Sequence, residues 1–230
     1  MRYNEFNQAI GEALQHYSAG DSPSATLLQG QFCRLEKLSV TKHGHDLFEV
    51  YSSPLHYWTY LPLDPFSDRN TFINYLTKLE TSKDPYYFSI IDEQTQKAVG
   101  TFALMRIDPD NRVIEVGWIT YSPILQKTKI GTEAQFLLAK YVFEKLKYRR
   151  YEWKCDSLNQ ASNHAAKRLG FCFEGTFRQA QVYKGRNRDT NWYSMLDYEW
   201  ESKKLRFQRW LSDDNFDING QQKVALSTME

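Results

Sequence analysis

Cysteine is scarce in this chain: Cys33, Cys155 and Cys172 are the only three in 230 residues, and none shares CxxC spacing. That pattern excludes a disulfide framework and a cysteine zinc site. Histidine is nearly as rare. His43 and His45 stand two apart, but no acidic or cysteine residue follows at ligand spacing, so no metal is expected. No apolar run approaches membrane-spanning length, and the opening Met-Arg-Tyr-Asn-Glu-Phe-Asn holds no signal-like apolar core. The reading is a cytoplasmic protein without a membrane partner. Charge of one sign is also lacking. With 29 Lys and Arg against 28 Asp and Glu, the net charge of +1 gives no electrostatic case for nucleic acid.

What is abundant is aromatic residues, 15% of the chain, which line either pockets or a Tyr-rich core. The length suits one domain with extensions. Residues 1–30 read as a polar arm with one short helix near 4–16. Residues 31–40 alternate as a first strand. A helix is expected over 43–51, and Ser67-Asp68-Arg69 opens another that runs to about Glu80. Tyr86–Asp92 and Lys97–Arg106 read as strands around the turn Glu93-Gln94-Thr95. Asp108-Pro109-Asp110-Asn111 turns into a further strand over 112–120. Strands are expected at 171–183 and 189–198, and an amphipathic helix at 200–211 carrying Leu205, Phe207, Trp210 and Leu211. The tail after Ser212 reads as loose.

Two stretches carry the functional signal. Residues 159–171, Asn-Gln-Ala-Ser-Asn-His-Ala-Ala-Lys-Arg-Leu-Gly-Phe, predict a capped short helix that stops at Gly170 before a new strand. Upstream, the strand Val-Ile-Glu-Val-Gly-Trp-Ile-Thr (113–120) is broken by Tyr121-Ser122-Pro123. Gln126-Lys127-Thr128-Lys129-Ile130-Gly131-Thr132 then opens a long helix with Ala134, Leu137, Leu138, Tyr141, Val142 and Leu146 on one stripe. A helix start of this kind offers free N–H donors and a positive dipole end to an anion. Residues 151–155 read as the following strand.

This order resembles the cofactor half of the GCN5-related N-acetyltransferases (GNAT), and the helix closed by Leu-Gly-Phe resembles their second cofactor helix. The family turn is Gln/Arg-x-x-Gly-x-Gly/Ala. Gln126 and Gly131 hold its outer positions, while Lys129 replaces the first Gly, as in the RimJ/RimL-like subgroup. The run Lys184-Gly185-Arg186-Asn187-Arg188-Asp189-Thr190 and the segment Trp58-Thr59-Tyr60-Leu61-Pro62 also resemble that subgroup. The resemblance implies an α/β fold with a mixed, mostly antiparallel, splayed sheet of about seven strands flanked by helices. It implies a GNAT domain over 31–200, followed by a C-terminal helix and tail over 201–230. It further implies acetyl-CoA as co-substrate and an amine acceptor, either a small molecule or a protein N-terminus, in a monomer or homodimer.

The chemistry needs an amine deprotonated, an oxyanion stabilised and a thiolate protonated. Glu115 interrupts an apolar strand, so it reads either as a general base with a burial-raised pKa or as a cross-strand ion-pair partner. Ser162 reads as the acid toward the thiolate or as an ordinary helix-start residue. By resemblance, Asn159 bonds the pantetheine amide. The backbone of Ile119 and Tyr121 pairs with pantetheine, and Gln126, Lys127, Thr128, Lys129, Ile130, Gly131 and Thr132 cradle the pyrophosphate. Trp58, Tyr60 and Trp118 are expected to bound the acceptor, with a hydrophobic plug under a loop as the alternative for the Trp58 segment. Cys155 reads as a small buried residue rather than a nucleophile. The Lys184–Arg188 run reads as an anion site, for an acidic acceptor or the 3′-phosphate of the cofactor, or as a solvated turn.

An α-amine titrates near ~8 and a lysine near ~10.4, so deprotonation at neutral pH costs about 1 against roughly 4–5 kcal/mol. One Glu suits the easier acceptor. A CoA-binding sensor without turnover is the rival reading, and a peptide-binding module using the aromatic loop is a third.

Overall fold

The computed structural model describes residues 1–125 and 128–229. Its N-terminal arm holds no helix over 4–16. Strands β1 (Arg2–Tyr3) and β2 (Ala9–Ile10) form a small hairpin instead. Asn4 organises it: its side-chain oxygen accepts the N–H groups of Phe6 and Gln8. Such local side-chain bonding competes with helix formation.

The strand expected within 31–40 is β4 (Cys33–Lys37), and a further short strand, β3 (Leu27–Gln29), precedes it in the arm. Helix α1 (Val40–Tyr51) starts three residues early, because the Ser39 N–H donates to His43 Nδ1 and fixes the first turn. Helix α2 (Arg69–Thr81) begins on Asp68, whose carboxylate accepts the Thr71 N–H at 2.6 Å. Strands β5 (Tyr86–Asp92), β6 (Ala98–Asp108) and β7 (Val113–Tyr121) follow. Helix α3 (Lys129–Lys140) runs on into one π turn, Tyr141–Lys145. The remaining elements are β8 (Arg150–Asp156), α4 (Gln160–Leu169), β9 (Cys172–Tyr183), β10 (Arg186–Leu196) and α5 (Trp200–Leu211). Gly170 ends α4 at φ 98, a left-handed cap that costs glycine little.

The main sheet has eight strands in the order β3-β4-β5-β6-β7-β8-β10-β9, one more than expected. Every neighbour is antiparallel except β7 and β8. Those two pair in parallel only from Val113↔Arg150 to Val116↔Trp153 and then part. Two cores cover the sheet. On one face Ile114, Val116, Tyr151, Trp153, Tyr193 and Met195 pack with α3, α4 and α5. On the other, α1 and α2 bring Leu47, Tyr51, Phe72 and Leu76 against Tyr87 and Ala103.

The tail after Ser212 is not loose. Asn215 is buried, and its amide donates to the Trp210 and Val224 carbonyls while its oxygen accepts the Val224 N–H. Leu226 is buried in the main core. Satisfying one buried amide at three points holds the segment down.

Candidate active site

The site lies where β7 and β8 separate. Between Thr101↔Thr120 and Ala103↔Gly117, β6 advances two residues while β7 advances three. The extra residue makes a bulge, and Trp118 takes φ 51 there. A bulky residue in the left-handed region is strained, and such strain collects at functional sites. A Cβ on Gly117 would meet the Met105 sulfur, which would have to move aside. Beyond Val116 the β7 edge that faces β8 has no strand partner among the described residues, so the main chain of Ile119 and Tyr121 borders an open slot. The Tyr121 ring itself turns into the protein, where its hydroxyl accepts from Gln135 Nε2 at 2.8 Å.

The α3 N-terminus closes one end of the slot. Thr128 caps it: its hydroxyl accepts the Gly131 N–H at 3.3 Å and donates to the Leu125 carbonyl at 2.7 Å. A Cβ on Gly131 would come within 3.1 Å of that same carbonyl. Thr132 is buried and accepts from Arg168 of α4 at 3.0 Å, while Ile130 packs on the core. Gln126 and Lys127 lie outside the described residues. The Lys129 ammonium turns to the C-terminal segment, 3.7 Å from the Phe216 ring centre, 4.8 Å from that of Phe32 and 3.6 Å from the Asp213 carboxylate.

Helix α4 borders the slot from the β8 side. The Asn159 side chain accepts the Ser162 N–H at 3.1 Å and so serves as the helix cap. The Ser162 hydroxyl accepts the Trp153 indole N–H at 3.0 Å and also lies against the Cys155 sulfur, toward which its own proton can turn. Behind it stands a residue that sequence reasoning missed. Asn163 accepts from the Cys155 thiol, Asn191 and Tyr193, and donates to the carbonyls of Asp156, Ser157 and Asn159. Burial pushes the Cys155 thiol up, which keeps it protonated and a poor nucleophile.

Glu115 is 6% exposed, on the sheet face opposite the α3 core. Burial raises its pKa, although Lys154 Nζ at 2.9 Å and Arg106 Nε at 3.4 Å oppose the rise. Glu152 shares the same ammonium at 2.7 Å, and its charge adds to the rise. Lys154 also lies 3.6 Å above the Trp192 ring. The structure therefore supplies the cross-strand partners: both carboxylates share the Lys154 ammonium, and Arg150 Nε also pairs with Glu152 at 2.7 Å. Lys154 and Glu152 alternate on β8 as Glu115 does on β7. That polar period within apolar strands was the available signal.

The loop between α1 and α2 is tied down at several points. Trp58 is 1% exposed, and its indole donates to the Ser53 carbonyl at 3.1 Å. Its side chain is thus the hydrophobic plug, because burying an indole in the α1–α2 core gains more than exposing it to a slot. Tyr60 instead crosses the site, its hydroxyl on the Leu158 carbonyl at 3.1 Å. Trp118 is partly buried against the α1–α2 core. Lys184 donates to the Trp58 carbonyl at 2.9 Å and pairs with Asp64 at 2.7 Å. At the end of β8, Tyr183 donates to the buried Asp156 carboxylate at 2.7 Å.

No group of three or more metal-ligating side chains occurs among the described residues. No described helix is long and apolar enough to cross a membrane.

Comparison with known proteins gives the same picture. The family model "Acetyltransferase (GNAT) domain" matches residues 34–172. The N-acetyltransferase p20 of Bacillus licheniformis, itself uncharacterized, is 29% identical over 171 residues, 72% of this chain and 96% of its own length. The ribosomal-protein-serine acetyltransferase of Escherichia coli is 31% identical over 99 residues, 43% of this chain and 54% of its own. A crystal structure of a GCN5-related N-acetyltransferase from Brucella melitensis superposes with a TM-score of 0.91 at 46% identity, covering 93% of this chain and 97% of that one. With its sheet parted between β7 and β8 beside a capped helix start, and with these relatives, the chain belongs to the GNAT acetyltransferase family, has RimJ/RimL-like relatives and is an acyltransferase.

Proposed function

We propose that the protein moves an acetyl group from acetyl-CoA to a primary amine, carried by a small molecule or a protein N-terminus. One observation carries the reading: among the described residues the β7 edge after Val116 has no strand partner, and α3 is the next helix along the chain. An extended amide chain can complete such an edge as a strand would, and a pyrophosphate suits the helix start. Ile119 and Tyr121 offer main-chain groups to the first. The N–H groups of Thr128, Lys129 and Ile130 offer donors to the second, that of Gly131 being taken by the Thr128 hydroxyl. When bound, acetyl-CoA supplies the activated thioester carbon that the amine attacks.

The chain's own groups then handle the protons. Glu115, made more basic by burial, takes the amine proton, and Lys154 with Glu152 holds that carboxylate in place. An N–H at the Trp118 bulge stabilises the oxyanion. The Ser162 hydroxyl, oriented by Trp153, donates toward the leaving thiolate. A protein acceptor is supported by the name of the Escherichia coli relative, which acts on a ribosomal protein.

Release of free thiol from acetyl-CoA in the presence of peptides, polyamines or amino-acid conjugates tests the proposal. Silence across that panel overturns it. A CoA-binding sensor is the second reading, favoured by the ion pairing of Glu115. Tight CoA binding without transfer to any amine selects it.

A further inference from the structure

We infer that Arg188 is a specificity residue for the acceptor, recognising a carboxylate or phosphate carried close to the amine. This rests on the acetyl-transfer reading above and adds the class of amine.

Arg188 sits on β10 beside the mouth of the slot. Two residues on, the buried Thr190 pairs across to Asp156, the last residue of β8. The Arg188 Nε donates to the Thr190 hydroxyl at 3.1 Å, and its guanidinium carbon lies 5.9 Å from the Tyr183 ring centre. Tyr183 is in turn fixed by its bond to Asp156. The side chain is therefore braced at its root and along its plane. Its charge reaches inward, favouring the thiolate of Cys155, the residue before Asp156.

The neighbouring cations are accounted for in other ways. Lys184 is paired with Asp64, and Lys154 with Glu115 and Glu152. Arg186 donates to the Thr59 carbonyl and covers the Tyr183 ring at 5.2 Å. Arg188 has no carboxylate partner among the described residues. A braced, half-buried guanidinium without a carboxylate presents two free nitrogens in a fixed fork. That fork matches a carboxylate or phosphate in bidentate geometry. The Tyr60–Leu158 and Lys184–Trp58 bonds tie the loop between α1 and α2 to the end of β8 and to the β9–β10 turn that leads into Arg188.

Matched amines test this: a dipeptide against its C-terminal amide, and phosphoethanolamine against ethanolamine. The wild-type enzyme is expected to favour the anionic member by about 10- to 100-fold in kcat/KM, the range of a hydrogen bond to a charged group. The two pairs separate carboxylate from phosphate as the preferred anion. R188Q should abolish the preference, and R188K should keep part of it, since an ammonium supplies charge without the fork. Equal use of both members by the wild type overturns the inference, as does an equal loss on both in R188Q. Titrating R188Q with CoA and dephospho-CoA separates the remaining alternative. Weakened CoA binding with unchanged dephospho-CoA binding would assign Arg188 to the cofactor and overturn the acceptor role. If no amine of either kind is acetylated, the acetyl-transfer reading fails first and this inference with it. Acetylation without charge preference sinks this inference alone.

Discussion

The Lys129 ammonium rests on the face of Phe216, 3.7 Å from the ring centre, and so joins the first turn of α3 to the C-terminal segment. Cation–ring contacts of this kind contribute about 0.5–2 kcal/mol. K129A is expected to loosen residues 213–229 and to expose them to limited proteolysis, with CoA affinity changed less than about threefold, within the scatter of a lost exposed charge. Loss of CoA affinity with an intact tail would instead make Lys129 a phosphate ligand.

Gly131 is expected to be intolerant of a side chain. G131D adds a Cβ 3.1 Å from the Leu125 carbonyl and a negative charge at the helix start. CoA affinity measured by calorimetry should fall at least tenfold while the circular dichroism spectrum is retained. Unchanged affinity would remove this turn from the cofactor site.

E115Q keeps the shape of the side chain but cannot take a proton. Turnover should fall by about 10²–10⁴ with CoA affinity held, and the acidic limb of the pH–rate profile should disappear. Stability gives a second reading of the same residue. The folded-state pKa of Glu115 lies above its unfolded value, so the folded protein binds more protons between the two. Its contribution is fully present below the unfolded value and is lost as pH rises through the folded one. E115Q should flatten that decline in urea unfolding across the window. Full turnover with an unaltered acidic limb would end the catalytic role.

Asn163 should be the most costly of these positions for folding. N163L strands the Tyr193 hydroxyl, the Asn191 amide and the Ser157 carbonyl, while the Asp156 and Asn159 carbonyls keep main-chain donors. At about 1–3 kcal/mol for each buried unsatisfied group, a loss of about 3 kcal/mol or more is expected in the urea midpoint. A change under 1 kcal/mol would show that water replaces the amide.

Local signals made some elements legible and left others hidden. Asn159, Leu169 and Gly170 mark α4 within its own residues, and Tyr86–Asp92 and Trp200–Leu211 declare their periods in the same way. The N-terminal hairpin was hidden because Asn4 satisfies backbone groups that a helix would have used. Order in the tail depends on Asn215 and Leu226 meeting a core built from residues far upstream. The candidate site divides along the same line. Glu115 was visible as a charge in an apolar strand. Its partners Lys154, Glu152 and Arg106 come together only when β6, β7 and β8 align. Trp58 carries the same hydropathy whether it lines a slot or plugs a core, and only the packing of α1 and α2 decides between them.

The short ladder between β7 and β8 has a mechanical consequence. Among the described residues, four residue pairs make up the β7–β8 ladder, with the Arg112 carbonyl accepting from Arg149 and Arg150 at its start, and no other strand of β3 to β7 pairs with β8 to β10. The two halves should therefore breathe about that seam more readily than either half frays within itself. An extended ligand lying along Gly117 to Tyr121 would act as added rungs and suppress the breathing. Hydrogen exchange should show this as slower exchange on CoA binding, concentrated in β7 and β8 and small in β5. Slowing spread evenly over all eight strands would mean that the ligand stabilises the fold as a whole rather than closing its seam.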